Sequence, residues 1–308
     1  MPSGDSKAEA GREKDTRPAI QNTHKFTAAA LPLHFKVLRA VWRTFQQPAD
    51  RPGCARLISI SYSHYVERVR WVLDLSPLRL MYSEDAHPPG LAMFAVQDVT
   101  EGSESSCPVL VLPAGLPDDR RNPHGEVIHD SNVIVPHLAA MFPGGATDPC
   151  GDAGLGWLYP KPLEKEIRAY EDHLAEQLGT NVRQYAYTHL LEPEIWAAKS
   201  RLGGPISRHC ALVEVFIHKL ISSQIGKVMR KLMRCYPDRL PACETSLDDV
   251  FADAAKRLGK SKYLCGDTVT AADITFAALA YPCACPPGLQ QQPLGGRLLT
   301  HHHHRHVA

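Results

Sequence analysis

Apolar and polar positions along the chain change rhythm several times. From Ala55 to Ser61 the sequence ARLISIS alternates, with Leu57, Ser59 and Ser61 on one side and Ile58 and Ile60 on the other, which predicts a strand. Directly after it, Val66, Val69, Val72 and Leu73 follow the 3.6-residue period of an amphipathic helix with Ser63 at its mouth. Leu78 to Tyr82 predicts a second strand, and residues 83–106, containing HPPG and EGSESS, read as an irregular segment with one short helix near Leu91–Phe94. Val109 to Leu112 predicts a third strand and Glu126 to Ile128 a short fourth, beyond a turn rich in Pro, Gly and Asp. Asp130 or Ser131 then caps a helix carrying Ile134, Leu138 and Met141. This order predicts a small mixed α/β sheet with helices packed on it.

Outside that region the rhythm is helical. Residues 31–45, LPLHFKVLRAVWRTF, predict a short amphipathic helix, broken by Pro48, Pro52 and Gly53. After a linker rich in Gly and Pro at 143–162, Leu163, Ile167, Tyr170, Leu174 and Leu178 mark a long helix. A second covers 210–234 with Val213, Phe216, Leu220, Val228 and Leu232 as apolar positions, and a third carries Leu247, Val250, Phe251, Ala254 and Leu258. Asp273 to Tyr281 is the most apolar and is expected at the centre of an all-helical second domain. Its start, V-T-A-A-D-I, reads as a capping box of Thr270 and Asp273, with Thr270 accepting from first-turn amides and Val269 and Ile274 as the staple. The expected division is 1–54 tail and short helix, 55–142 first domain, 143–162 linker, 163–285 helical domain and 286–308 tail.

Composition narrows the function classes. With 34 basic and 33 acidic residues the net charge is +1, so no global field draws nucleic acid or an anionic membrane. No apolar run approaches the ~20 residues of a membrane span. Nine cysteines, scattered and odd in number, form neither a disulfide framework nor zinc-site spacing, which fits a reducing compartment. The first thirty residues lack the apolar core of a secretory signal, and the tail ends in a histidine-rich run read as unstructured rather than as a metal site.

Candidate chemistry lies in three places. A helix N-terminus leaves amides unpaired and carries about half a positive charge, which favours a thiolate placed there. No cysteine lies between 55 and 106, so the thiol has to come from a ligand, with Ser63 as its natural hydroxyl donor. Lowering a thiol pKa from about 8.5 to about 6.5 takes about 2.7 kcal/mol. One hydrogen bond to a charged acceptor supplies roughly 1.5–3 kcal/mol, so a serine plus the helix terminus suffices in scale. A plain N-cap is the alternative reading of Ser63, and Ser61, Tyr62 and Tyr65 are alternative hydroxyls. Pro108 begins the strand VLVL; if its bond to Cys107 is cis, the Val109 backbone is exposed to an extended peptide, and otherwise it is a turn proline. Asp130-Ser131 at a helix start suits the zwitterionic end of an α-amino acid, although ordinary capping explains the pair as well. His64, His87, His124, His129 and His137 have no ligand spacing, and neither G-x-G-x-x-G nor a P-loop occurs. Arg68 and Arg70 are interrupted by Glu67 and make no nucleic-acid stripe.

These segments resemble the cytosolic glutathione transferase superfamily: SHYVERVRWVLDL at 63–75, CPVLVLP at 107–113, VIHDSNVIVPHL at 127–138 and YLCGDTVTAADITFAALAYP at 263–282. The resemblance implies a thioredoxin-like domain with a mixed four-stranded sheet, followed by an all-α helical bundle. It implies that Ser63 is a catalytic serine of the serine-type classes, stabilising the glutathione thiolate. Pro108 would be the cis-proline before the third strand, Val109 the partner of the cysteinyl backbone, and Asp130 and Ser131 the grip on the γ-glutamyl group. Tyr62 and His64 join the expected glutathione-binding set, with the second substrate between the domains near them; Tyr170 and His173 are further candidates for its lining. Asp273 matches the buried capping aspartate. The implied activity is conjugation of glutathione to an electrophilic small molecule, as in detoxification, by a cytoplasmic homodimer without a metal. Glutathione-dependent peroxidase or reductase activity and a non-catalytic binding or scaffolding module are the alternatives. The chain departs from the family at His64, where proline commonly stands, in its longer 83–106 segment, and in PPGLQQQPLGGRLL, where family chains continue with helix.

Overall fold

The structure, a computed structural model, describes residues 37, 39–42, 53–114, 125–144, 154–192, 195–196 and 210–284. The expected tails, including the histidine run, lie outside these residues, as does most of the 31–45 helix; Val37 and residues 39–42 of it are helical.

Four strands form one mixed sheet: β1 (Ala55–Ser59), β2 (Tyr82–Ala86), β3 (Val109–Leu112) and β4 (Glu126–His129), in the order β2-β1-β3-β4. Helix α1 (His64–Asp74) makes the crossover that the parallel β1–β2 pair requires, whereas β3 runs antiparallel to both β1 and β4. Helices α2 (Ala92–Val99) and α3 (Ser131–Met141) complete the α/β region. Leu57, Leu110 and Ile128 bury one sheet face against α1 and α3, while Ile58 and Val109 bury the other beneath Phe94 and Val96 of α2, Trp42 and Ile217.

The second strand lies later than its hydrophobicity predicts. Residues Pro77–Leu80 form a 3-10 turn instead, because Pro77 pre-sets the first turn and the Ser76 hydroxyl accepts from the Leu78 amide at 3.0 Å. The polar run YSEDA is the actual strand, and it sits at the sheet edge where its acids find partners. Glu84 accepts from Ser59 at 2.6 Å and from Arg70 at 2.6 Å, and Asp85 meets His87 at 3.1 Å.

The rest is helical: α4 (Glu164–His173) passes through a π-helical turn (Leu174–Gly179) into α5 (Thr180–Leu190), followed by α6 (Leu212–Met233), α7 (Leu240–Leu258) and α8 (Ala271–Ala284). The π turn falls where a Cβ on Gly179 would lie 2.8 Å from the Tyr65 hydroxyl oxygen, so only glycine lets α1 approach this closely. In α6 the buried stripe is Ile217, Ile225 and Met229; the expected Phe216 and Leu220 face outward, because Glu214 and His218 turn inward with the buried side.

Helix α8 is central, with Ala271, Ala272, Ala278 and Leu279 inaccessible, and it packs against α1 of the sheet domain. Its cap differs from expectation in one respect. The Thr270 hydroxyl donates to the Asp273 carboxylate at 2.9 Å, a charge-assisted bond, in place of the expected role as acceptor for first-turn amides. Asp273 also accepts from the Thr270 amide at 2.8 Å and the Leu264 amide at 2.9 Å, tying the preceding loop to the helix start.

Candidate active site

The register of the strands brings three predicted positions to one end of the sheet. Val109 pairs with Ile58, next to the last residue of β1, and with His129, the last of β4. Pro108, joined to Cys107 through a cis bond, therefore lies beside the loop from β1 into α1, and its carbonyl accepts the Asp130 amide at 3.3 Å. Ser63 closes the same loop: its amide donates to the Ile60 carbonyl at 2.9 Å and its carbonyl accepts the Glu67 amide, so it is the N-cap residue of α1. Its hydroxyl, however, makes no cap hydrogen bond. That half-buried oxygen sits beside first-turn amides that have no intrahelical carbonyl.

Of the neighbouring hydroxyls, those of Ser61 and Tyr65 are engaged and that of Tyr62 is buried. Ser61 hydrogen-bonds the Cys210 thiol. The Tyr62 ring lies 6.1 Å from that of Tyr187, and its phenol is held well above its ordinary pKa by burial and then by Tyr187. Tyr65 meets Gly179 and Thr180, with burial raising its pKa against the opposing pull of Arg183. The His64 ring is buried and points into the helical region, 3.2 Å from the Gly179 carbonyl. Burial first, then the Arg183 charge, depress its pKa to about 3 despite that hydrogen bond. At neutral pH it is an uncharged imidazole whose Nε2 donates to the carbonyl.

At the start of α3, Asp130 adopts φ 75°, a left-handed backbone that non-glycine residues rarely take, and its carboxylate accepts the Asn132 amide at 2.9 Å. Ser131 is fully buried. Its hydroxyl lies 3.5 Å from Arg68 Nη1, which also donates to the Asn132 side chain, while Nη2 donates to Glu171 at 2.8 Å. Glu171, on α4, accepts further from the Tyr159 and Thr275 hydroxyls, each at 2.8 Å. A buried ion pair thus joins α1 to α4, is tied to α8 through Thr275, and supports the α3 start from behind. Sequence reasoning missed it. The available signal was that Arg68 stands four residues from both His64 and Val72, on the face turned inward.

Tyr170 and His173 do not reach this end of the sheet. They stack on each other at 5.9 Å, and the Arg257 guanidinium covers Tyr170 at 3.9 Å, so they belong to packing against α7. Six of the described thiols are poor nucleophiles. Burial raises the pKa of Cys107, Cys210, Cys235, Cys243, Cys265 and Cys283, to about 11 for Cys235, Cys265 and Cys283. What the arrangement can do is bind an incoming anion at the Ser63 hydroxyl and α1 amides, beside the start of β3 and a second helix start.

No protein-family model matches the chain, and no curated protein matches it in sequence. Solved structures do. A β-etherase, LigF, from Sphingobium sp. strain SYK-6 is 19% identical, with 75% of this chain and 84% of that one superposed at a TM-score of 0.50. A glutathione S-transferase domain-containing protein from Marinobacter aquaeolei VT8, also 19% identical, covers 74% of this chain and 86% of its own at 0.46. The first likeness, together with the sheet order and the helical region that follows it, makes this the glutathione-transferase fold: a thioredoxin-like domain followed by a helical domain.

Proposed function

We propose that this chain, which has the fold of the glutathione transferases, binds glutathione and transfers its thiolate to an electrophilic small molecule, with Ser63 as the serine that holds the thiolate. The observation that carries the reading is the Ser63 hydroxyl: at the mouth of α1, half-buried, and left out of the helix cap, while Ser61 and Tyr65 have partners and the Tyr62 hydroxyl is buried against Tyr187. The raised pKa values of six described thiols favour a nucleophile from outside. Val109, next to the cis bond, offers its backbone to the cysteinyl unit. Asp130 and Ser131, with the α3 amides, receive the γ-glutamyl amino and carboxylate groups. Residues 55–142 carry glutathione and residues 163–285 the wall facing the second substrate, joined by 143–162. The engagement of Tyr62 and His64 with the helical region leaves them as framework of the site rather than as glutathione donors.

On binding, the thiol proton passes to solvent. The thiolate then forms a bond to the electrophilic carbon as the leaving group departs with its electron pair. A homodimer and a cytoplasmic location belong to the same proposal. Exposed Leu212, Phe216 and Leu220 on one face of α6 support the first, and seven free thiols among the described residues the second.

The test is an ultraviolet titration of the bound glutathione thiolate. Ser63→Ala should raise the pKa of the bound thiol by about one to two, the equivalent of a single hydrogen bond to a charged acceptor, while glutathione still binds. An unchanged titration curve removes Ser63 from this role, and no binding at millimolar glutathione removes the transferase reading in favour of a non-catalytic module.

A further inference from the structure

We propose that Arg183 is the specificity residue for the second substrate, and that the preferred electrophile is an aromatic compound bearing a carboxylate. The assignment rests on the transferase reading above for the location of the site, and on Arg183 itself for the chemistry.

Arg183 lies on α5, one turn beyond Gly179, and its guanidinium stands 5.7 Å from the centre of the Tyr65 ring on α1. It therefore spans the boundary between the helical region and the helix whose mouth holds Ser63, two residues before Tyr65. It makes no hydrogen bond or ion pair among the described residues, and its Nε is buried without a partner. The other arginines that border the two regions are paired: Arg68 with Glu171, Arg70 with Glu84, and Arg168 with Glu164. A guanidinium with a buried, unsatisfied nitrogen is costly unless an anion completes it, and its planar fork suits a carboxylate in particular.

Its surroundings fit the rest of such a ligand. The Arg183 charge acts on His64, Tyr65, Tyr187 and Cys235, which places those four groups around it. His64 is neutral there, and no carboxylate of the described residues pairs with Arg183. Tyr62 and Tyr187 form an aromatic wall with ring centres 6.1 Å apart, continuing into Leu191 and Ile225. A flat apolar ring against that wall, with its carboxylate at Arg183, would hold an electrophilic carbon on the side of α1 where Ser63 lies. The γ-glutamyl carboxylate of glutathione has its own place at the α3 start, and its glycyl carboxylate is the competing anion that the experiment separates from the second substrate.

The experiment has an equilibrium arm and a turnover arm, both on the full chain. Calorimetry with meta-nitrobenzoate and its methyl ester, with and without glutathione, should show the carboxylate bound about tenfold more tightly by wild type, the scale of one charge-assisted pair at a partly exposed guanidinium. Arg183→Gln should remove that preference and leave the ester unchanged; Arg183→Lys should restore part of it. In turnover, para-chloro-meta-nitrobenzoate and its methyl ester are compared after division by their uncatalysed rates. The sulfur–carbon bond forms and chloride leaves with the electron pair, and Arg183→Gln should raise KM for the acid only. Absence of a carboxylate preference in wild type, its survival in Arg183→Gln, or an equal loss for acid and ester overturns the proposal. So does a weakening of glutathione itself in Arg183→Gln without an effect on the probe, since the carboxylate would then be glutathione's own. Failure of glutathione to bind the wild type removes the transferase reading instead, and leaves the equilibrium arm to decide the anion site.

Discussion

Replacing Arg68 by Met tests how the two regions are joined behind the candidate site. The wild-type guanidinium is 1% exposed and the Glu171 carboxylate 4%, with 2.8 Å between them. Methionine fills much of the volume but leaves a buried carboxylate with only two neutral donors, Tyr159 and Thr275. Breaking one half of a buried pair costs about 3–5 kcal/mol, a large fraction of the ~5–15 kcal/mol by which a domain is stable. With a urea dependence of about 1–3 kcal/mol per molar, the unfolding midpoint should fall by more than 1 M. The double variant Arg68→Met/Glu171→Gln should recover most of that loss, because the amide oxygen can still accept from both hydroxyls and no charge remains buried. Glutathione affinity should fall in both, since Ser131 and Asn132 lose the group that braces them from behind. Circular dichroism in urea gives the first quantity and calorimetry the second. An Arg68→Met midpoint within a few tenths molar of wild type, or a double variant less stable than the single, would refute the idea that the charge pair carries this junction.

Asp273→Ala removes the acceptor of three hydrogen bonds at the start of the central helix, and should cost about 2–4 kcal/mol in a urea titration, with Asp273→Asn costing less. His87 sets an alkaline limit. Burial disfavours its charge, but the hydrogen bonds to Asp85 and Glu214 prevail and raise its pKa to about 9. Its contribution of about 3 kcal/mol is therefore complete below the unfolded value near 6.5 and is lost as pH rises through 9. His87→Gln should flatten the fall in urea midpoint between pH 6.5 and 9.5, and an unaltered slope would show that the pair does not couple to folding. His64 has the opposite sign: its depressed value stabilises above about 6.5 and is lost as pH falls toward 3, so the acid limb should soften in His64→Gln.

Elements whose determinants are local are legible in the amino-acid order. Alternation in ARLISIS, the helical period after Ser63, the Pro108-led strand and the capping box at Thr270 and Asp273 each state their conformation within ten residues or so. The edge strand YSEDA is not legible in that way, because its acids are made tolerable by Arg70, Ser59 and His87 rather than by anything inside the run. The buried stripe of α6 is hidden for a related reason. That helix is apolar on two sides, and only its packing against Ile58, Val109 and Trp42 selects which side is covered.

At the site the same distinction holds. Local sequence determined that Ser63 opens a helix, that a proline leads β3, and that Asp130-Ser131 starts α3, since short-range backbone preferences set all three. Tertiary structure decided that they lie at one end of one sheet, that the Ser63 hydroxyl stays out of the helix cap while that of Tyr62 is buried, and that Arg68 is buried with Glu171 while Arg183 has no counter-charge among the described residues. Those outcomes depend on partners 63 to 127 positions apart, as in Arg68–Ser131, Arg68–Glu171 and His87–Glu214. Burial and Coulombic pairing act through space, and a one-dimensional pattern carries no term for either.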